Sequence, residues 1–511
     1  MRSIALINHQ GLKVKSGIQL QSPSPPIGLA YLSAYIKQKG LECECIDACG
    51  ESLSQIAPYK GSDNILIQGL SNDQVLDRLS TDTKIVGLTC LFTQSQPLVS
   101  DLAIAIKKRY PHIFIVTGGE HPTAIPEDVL DNENFDAIVY GEGEESFYEL
   151  CQKVLAGEDW TGIEGIIYQN QNGLMVKNLP RKRISEIDGF PYPDWDSWSI
   201  KNYINWAQVT GITLGRSMPI LGSRGCPYAC TFCSNESMWT RRYVMRDGKD
   251  IVDEMQLMAK KYNVNGFTFM DSTFIVNKKK TIDFARELIN RNLKINYQIP
   301  AGTRCEAFDA DLLELLEKSG LKNFALAPES GSEEILKTIN KQIKIPKFLE
   351  VVKMIVKTKM TFGVFFVIGF PEDTKESLKK TLSLVRKLAS IGVDDITVSK
   401  FTPYPGSPYY KQLAQKQKVR TSFNNTAKMI NFFDSNGQSY CDELSEKELN
   451  RWMIWCFFNF YFISIARRPW RLLFNLFDFV TTGRENTRYM RLFSELLFVR
   501  GKWKKHQKAS T

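Results

Sequence analysis

The sequence predicts an α/β protein: a doubly wound, Rossmann-like parallel sheet over residues 1–178, a partial (β/α)6 barrel over 215–415, and a helical C-terminal extension over 416–511. Residues 179–214 form the linker between the first two. Three observations carry this reading. Short β-rich runs alternate with amphipathic helical patterns in two separate series, and repeated βα units imply parallel sheets. The alternation breaks at Leu179–Tyr203, where Pro180, Pro191 and Pro193 stand among scattered Trp and Asp. The last hundred residues lose the strand pattern altogether. A length of 511 residues fits three units at about 150 residues each.

The first series opens with a strand at Ile4–Asn8, a Pro-rich loop at 23–26, and a helix over Ile27–Lys39 stopped by Gly40. Strands follow at Leu41–Asp47, Lys84–Thr89, Ile113–Thr117 and Ala137–Tyr140, with helices near Leu98–Arg109 and Glu145–Ala156. Ligands of such sheets sit beyond the carboxyl ends of the strands, here His9–Gly11, Cys90–Pro97 and Gly118–Thr123. The second series has strands near Pro219–Ser223, Gly266–Asp271, Ile295–Ile299, Asn323–Pro328, Phe362–Ile368 and Asp395–Lys400. Helical patterns such as Ile251–Lys261 and Asp311–Ser319 lie between them. Six repeats in this length fall short of a complete eight-fold barrel of about 250 residues, so an open, partial barrel fits better.

Composition excludes several classes. Apolar residues make up 43 % and charged residues 24 %, close to globular averages, which rules out wholesale disorder, collagen and coiled coil. The formal charge is +9, from 65 basic and 56 acidic residues. Residues 451–511 hold 12 Lys/Arg against 3 Asp/Glu, so the rest of the chain is neutral and nucleic acid is not an expected partner. The apolar run Ile4–Ile7 is too short for a signal-peptide core. A reducing cytoplasm is therefore expected, where clustered Cys among the eleven means metal or redox chemistry. No stretch reaches the roughly 20 apolar residues of a membrane span.

The most informative segment is Ser223-Arg-Gly-Cys226-Pro-Tyr-Ala-Cys230-Thr-Phe-Cys233, a CxxxCxxC just after an expected strand. A short loop can aim three thiolates at one iron–sulfur cluster, and a cubane held by three cysteines keeps one iron open to a small chelator. The alternatives are three unrelated cysteines or an incomplete zinc site. No His or fourth Cys lies nearby in sequence, which weakens zinc.

This segment resembles the signature of the radical S-adenosylmethionine (SAM) superfamily. The resemblance implies a [4Fe-4S] cluster on Cys226, Cys230 and Cys233 that cleaves SAM to a 5′-deoxyadenosyl radical. It extends over roughly residues 215–410. By that resemblance Phe232, Asp271 and Ser272, Arg304, Glu329 of Glu-Ser-Gly, and Gly369 of Gly-Phe-Pro line the SAM site. The element 403–408, Pro-Tyr-Pro-Gly-Ser-Pro, resembles the one that closes the sixth strand.

The first 190 residues resemble the cobalamin (B12)-binding domain that precedes the barrel in one radical SAM class. The matching residues are Pro25-Pro26-Ile-Gly28-Leu-Ala-Tyr31, Val86-Gly87-Leu-Thr89, Gly118-Gly119-Glu-His121-Pro-Thr123 and Tyr140-Gly-Glu142-Gly-Glu144. The resemblance implies cobalamin contacts from Gly28, Thr89, Gly118, Gly119, His121 and Glu142. The first strand ends in Asn8-His9-Gln10-Gly11, which does not fit the DxHxxG motif of domains with a histidine beneath cobalt. His9 is therefore expected not to be an axial ligand. The alternative is a plain flavodoxin-like module with another ligand.

The function these resemblances imply is a cobalamin-dependent radical SAM enzyme. It methylates an unactivated carbon of a small molecule, a hydrophobic one included, through the deoxyadenosyl radical and methylcobalamin. An electron donor such as flavodoxin or ferredoxin is expected. The alternative is a radical oxidation or cyclisation like that of the anaerobic Mg-protoporphyrin ester cyclase. A tRNA methylthiotransferase fits less well, because Cys43, Cys45 and Cys49 are too closely spaced for a second cluster. A non-catalytic corrinoid protein has no use for the three cluster cysteines.

At the C-terminus, Trp452, Ile454, Trp455, Phe457, Phe458, Phe460, Tyr461 and Phe462 lie almost all round a helix, followed by Arg467, Arg468 and Arg471. The expectation is a lid beside the active site whose aromatics pack on the barrel. Peripheral contact with an anionic membrane is the rival reading.

Overall fold

The computed structural model describes residues 3–14, 23–60, 64–130, 134–206, 211–419 and 438–482. The first strand, Ile4–Asn8, is central in a seven-stranded sheet. It pairs in parallel with Cys43–Asp47 on one side and Ile85–Thr89 on the other. Phe114–Gly118 and Ala137–Val139 continue the parallel run. The five parallel strands thus lie in the order 2-1-3-4-5, the flavodoxin-like winding whose switch point falls between the first and third strands. Runs such as Ile4-Ala-Leu-Ile are apolar throughout because both faces of the sheet are covered.

Three features were not expected. An antiparallel hairpin, Ile166–Gln169 with Met175–Lys177, extends the sheet past its fifth parallel strand. A separate antiparallel sheet joins Gly11–Val14, Ile65–Gln68 and Ile56–Pro58. The segment 179–206 is also no slack tether. Trp195, Trp198, Ile200 and Tyr203 are buried in it. Trp198 Nε1 donates to Ser33 Oγ at 3.1 Å, and the Tyr203 hydroxyl donates to Asp47 at 3.0 Å. Its prolines keep the chain extended while its aromatics anchor it, so one apolar core runs through both halves of the molecule.

The second series forms a six-stranded parallel sheet in sequence order: Ser217–Ile220, Gly266–Phe269, Asn296–Thr303, Leu321–Glu329, Thr361–Ile368 and Asp395–Lys400. The first and last strands are not paired with each other, so the sheet is open. Its interior is aromatic, with Phe269 edge-on to Phe284 and to Tyr297. Several covering helices start at side-chain caps: Asn277, Asp309, Thr374 and Ser407 each accept from a first-turn N–H.

The helix Glu446–Arg467 protects the sheet's far edge, which would otherwise present unpaired backbone groups. It packs on the helix Lys375–Ile391 and the strand Asp395–Lys400, and the Tyr461 hydroxyl donates to Asp395 at 2.6 Å. Leu449, in its first turn, meets Gly369 at the carboxyl end of the fifth strand. At its other end Arg468 donates to the carbonyls of Ala389, Ser390 and Ile391. The helix therefore runs down the flank of the sheet as a brace, from the carboxyl end of the fifth strand to the turn before the sixth, and part of the expected lid, 483–511, lies outside the described residues. No helix among the described residues is long and apolar enough to cross a membrane.

Candidate functional site

The cysteine loop follows the first strand of the six-stranded sheet at its carboxyl end and is held from two directions, by the 339–340 turn and by Tyr409. The Thr231 N–H donates to the Ile339 carbonyl at 3.1 Å, and Asn340 Nδ2 donates to the Ala229 carbonyl at 2.8 Å. The Tyr409 N–H donates to the Thr231 carbonyl at 3.0 Å, and the Cys233 N–H to that of Cys230 at 3.1 Å. Cys226, Cys230 and Cys233 are free thiols, partly exposed and close enough to influence one another's ionisation. Burial pushes all three upward, Cys233 to about 12. No three His, Cys, Asp or Glu among the described residues converge on a single-ion position. A cubane requires no such convergence, since each thiolate takes a different iron.

Two cations face the loop. Lys341 is buried and pairs with Glu329 at 2.8 Å. Desolvation alone would depress the Lys341 pKa, but the Glu329 and Cys230 charges overrule it and the pKa is raised. Arg304 lies 4.0 Å over the Tyr228 ring and is chelated by Glu306. Both cations favour ionised thiols at Cys226 and Cys230 and would attract a carboxylate. Glu329 holds φ at +71°, which L-residues rarely adopt. The ion pair and burial maintain that strain beside the cluster loop. Phe232 contacts Phe370 and lies 5.9 Å beneath the Lys341 ammonium. These thiols, cations and aromatic faces fit a cluster with a zwitterionic chelator. The unpartnered buried polar atoms Thr231 Oγ1, Asn235 Oδ1 and Asn235 Nδ2 stand in the same loop.

Asp271, Ser272 and Gly369 stand in structural settings of their own. Asp271 is fully buried behind the loop, accepting from Gly222 N–H at 3.1 Å and Ser223 Oγ at 2.5 Å. It orients the strand end rather than facing an opening, and burial pushes its carboxyl up to about 6. Ser272, beside it, is exposed. Gly369 has φ +86°, and a Cβ there would meet Leu449 at 2.6 Å. Its N–H donates to Asp373, so this glycine serves the turn and the docking of the C-terminal helix.

The front-sheet edge faces the cysteine loop. Gly119, at φ +116°, starts the helix Glu120–Ala124, and a Cβ there would lie 2.6 Å from the Cys90 carbonyl. The Ser234 hydroxyl, next to Cys233, donates to the Glu120 carboxylate, whose pKa burial raises. The Thr123 hydroxyl meets Met238 Sδ at 3.5 Å. Gly406 of the sixth-strand element packs on Ala124 and Ser237. Along this edge Leu91 and Phe92 are exposed. Gln10 Oε1, Gln96 Oε1 and Thr117 Oγ1 are buried without hydrogen-bond partners among the described residues. A broad apolar ligand with amide fringes fits exposed apolar side chains beside orphaned polar atoms. Gly28, in the first turn of its helix, has open space where a side chain would be. Thr89 and Gly118 are half-buried at the strand ends. His121 is fully enclosed, 3.2 Å from Thr93 and 3.4 Å from Asp128. His9 Nδ1 is 2.5 Å from the Gln10 carbonyl.

Glu142 is held by protein partners. Its carboxylate binds Arg183 at 3.1 Å, Arg224 at 3.3 Å and the Ile184 N–H at 3.0 Å. Glu144 binds Arg224 at 2.6 Å. The front-domain Gly-Glu-Gly-Glu turn thus grips the arginine two residues before Cys226. Lys341, Glu120 and Arg224 were not singled out from the sequence. For Glu120 and Arg224 the available signal was a charge inside a Gly-containing turn; Lys341, among other lysines, carried none.

Comparison with known proteins follows the same division. Residues 220–385 match the radical SAM superfamily, and residues 17–151 match the B12 binding domain. An uncharacterized methyltransferase of Pyrococcus horikoshii is 29 % identical over 75 % of this chain and 77 % of its own. The anaerobic magnesium-protoporphyrin IX monomethyl ester cyclase of Rubrivivax gelatinosus is 29 % identical over 79 % of this chain and 69 % of its own. The fold is shared with the radical SAM methyltransferase TsrM of Kitasatospora setae, at a TM-score of 0.62 and 17 % identity, covering 83 % of this chain and 76 % of that one.

Proposed function

From the premise that the chain is a radical SAM enzyme with an N-terminal B12-binding domain, we propose that it transfers a methyl group to an unactivated carbon of a small molecule. Its cofactors are a [4Fe-4S] cluster, SAM and cobalamin. When bound, the cluster and SAM supply a hydrogen-abstracting radical, and cobalamin supplies the methyl group. The reading rests on one observation: the carboxyl edge of the front sheet abuts the cysteine loop through Glu120–Ser234 and Thr123–Met238. A substrate held in that seam would meet both cofactors, and the packed Gly406 element would keep water from it.

In this reading Cys226, Cys230 and Cys233 hold the cluster. Lys341 and Arg304 balance its negative charge and that of the SAM carboxylate. Phe232 and Glu329 line the nucleoside side. Gly119 and Gly28 let the corrin approach the backbone. A flavodoxin- or ferredoxin-type donor supplies electrons from outside.

Turnover of the reduced holoenzyme with deuterated methyl-SAM and cell extract tests the proposal. The expected result is a product carrying the label, formed together with 5′-deoxyadenosine. The second reading, an oxidative cyclisation, is favoured by the cyclase relative. Deoxyadenosine with an unlabelled, dehydrogenated product would establish it and exclude methylation. Replacing all three cluster cysteines by Ala should abolish deoxyadenosine while cobalamin stays bound.

A further inference from the structure

The brace helix Glu446–Arg467 buries Leu449, Met453, Cys456 and Phe460. Its opposite face is a continuous apolar stripe of Ile454, Trp455, Phe458, Phe462 and Ile465. Trp455, Phe458 and Phe462 stack in succession along it. Trp455 is 46 % exposed and Phe462 63 %. The next helix, Pro469–Thr482, adds Trp470, Leu473, Phe474 and Phe477, at 61–69 % exposure and one-face spacing. The expectation that the aromatic segment packs inward therefore holds for Trp452, Phe457, Phe460 and Tyr461 and fails for Ile454, Trp455, Phe458 and Phe462. One helix face cannot bury aromatics distributed around the whole circumference. So much contiguous apolar surface marks an interaction site.

Charge selects the partner. Arg451 is exposed at the start of the stripe and Arg467 at its end. Arg468 and Arg471 are instead committed to the base of the barrel, capping carbonyls 389–392, so the expected three-arginine cluster is divided. Residues 483–511 add 8 Lys/Arg against 2 Asp/Glu. A second copy docked through this face would bring two cationic segments together. The chain's own tail carries the same sign as the residues it would cover. An anionic surface is the complementary partner, and exposed Trp and Phe beside Arg suit the headgroup boundary of a bilayer.

We propose that this two-helix face docks the protein onto an anionic lipid bilayer. The test is flotation of the full-chain holoenzyme with vesicles of phosphatidylcholine containing about one-third phosphatidylglycerol, against pure phosphatidylcholine. A variant combining Phe458→Ser, Phe462→Ser, Phe474→Ser and Phe477→Ser removes apolar area at exposed positions and leaves the charge unchanged. Flotation should require the anionic lipid, weaken with salt, and fall by at least about tenfold in the variant while its melting temperature holds. No flotation of the parent with anionic vesicles would overturn the proposal. So would equal flotation with neutral vesicles, or undiminished flotation of the variant, which would assign binding to charge alone. A concentration-dependent dimer lost in the variant, without flotation of the parent, would assign the face to a second copy and also overturn it.

Discussion

Arg224→Met tests the joint between the two halves. The Arg224 guanidinium reaches Glu144 at 2.6 Å and Glu142 at 3.3 Å, and all three side chains are at most 8 % exposed. It also lies 5.6 Å from the Tyr31 ring and 5.5 Å from that of Phe190. Methionine fills much of the same volume but leaves Glu144 buried without its cation, whereas Glu142 keeps Arg183. Stranding one partner of a buried pair costs about 3–5 kcal/mol. For a unit of this size that corresponds to a fall of roughly 10 °C in melting temperature. Adding Glu144→Gln removes the stranded charge and should recover at least half of the loss.

The acid limb shifts as well. Burial presses the Glu142 pKa up, but Arg183 and Arg224 outweigh it, so the folded value lies below the ordinary one. Between those two values the unfolded chain binds more protons, so stability rises with pH there. The contribution is complete above the unfolded pKa and lost as pH falls through the folded one. Without Arg224 the folded pKa moves upward, and acid unfolding should begin at higher pH. Circular dichroism melts of parent, single and double variants across that range decide the matter. A single variant melting with the parent, or a double variant no more stable than the single, would refute the reasoning.

Asp271 has the opposite sign. Its folded pKa of about 6 lies above the unfolded value, so its contribution is present at low pH and lost as pH rises toward 6 and beyond. Asp271→Asn should flatten that fall in melting temperature between pH 4 and pH 6; an unchanged slope would assign the titration elsewhere. Gly369→Ala should cost about 1–3 kcal/mol, because it forces a side chain into φ +86° and against Leu449. Guanidinium unfolding measures this, and a neutral result would show that the helix start yields easily. His9→Ala should leave the electron paramagnetic resonance spectrum of the cob(II)alamin form unchanged, and loss of nitrogen splitting would make His9 the axial ligand.

The parallel strands were legible because a strand covered on both faces must be apolar along its length. Ile4–Asn8 and Asp395–Lys400 were read to the residue, and the other parallel strands to within a few residues at each end. Two of the strands that escaped, Gly11–Val14 and Ile56–Pro58, are short, partly exposed, and carry Gly or Pro. Their pairing is set by neighbours in space, which periodicity does not encode. The 179–206 segment misled for a related reason. Prolines exclude helix and sheet pairing but leave side chains free to bury, and Trp195 and Trp198 do so.

The cysteine loop was readable because its three cysteines are local in sequence. Its electrostatic setting was not, because Lys341 reaches Glu329 across 12 residues and Arg224 reaches Glu144 across 80. The same distinction bears on two motif residues with structural partners. Glu142 and Gly369 sit at turns where one structural unit meets another, and both are engaged by that meeting: Glu142 by Arg183 and Arg224, Gly369 by Leu449. A motif at the edge of a cofactor site can arise from either demand, ligand contact or the fixed alignment of the surfaces around it. Radical chemistry makes the second as stringent as the first, since a misplacement of 1 Å costs about a hundredfold in rate. The buried Arg224 network fixes the front-domain turn 141–144 against the start of the cysteine loop.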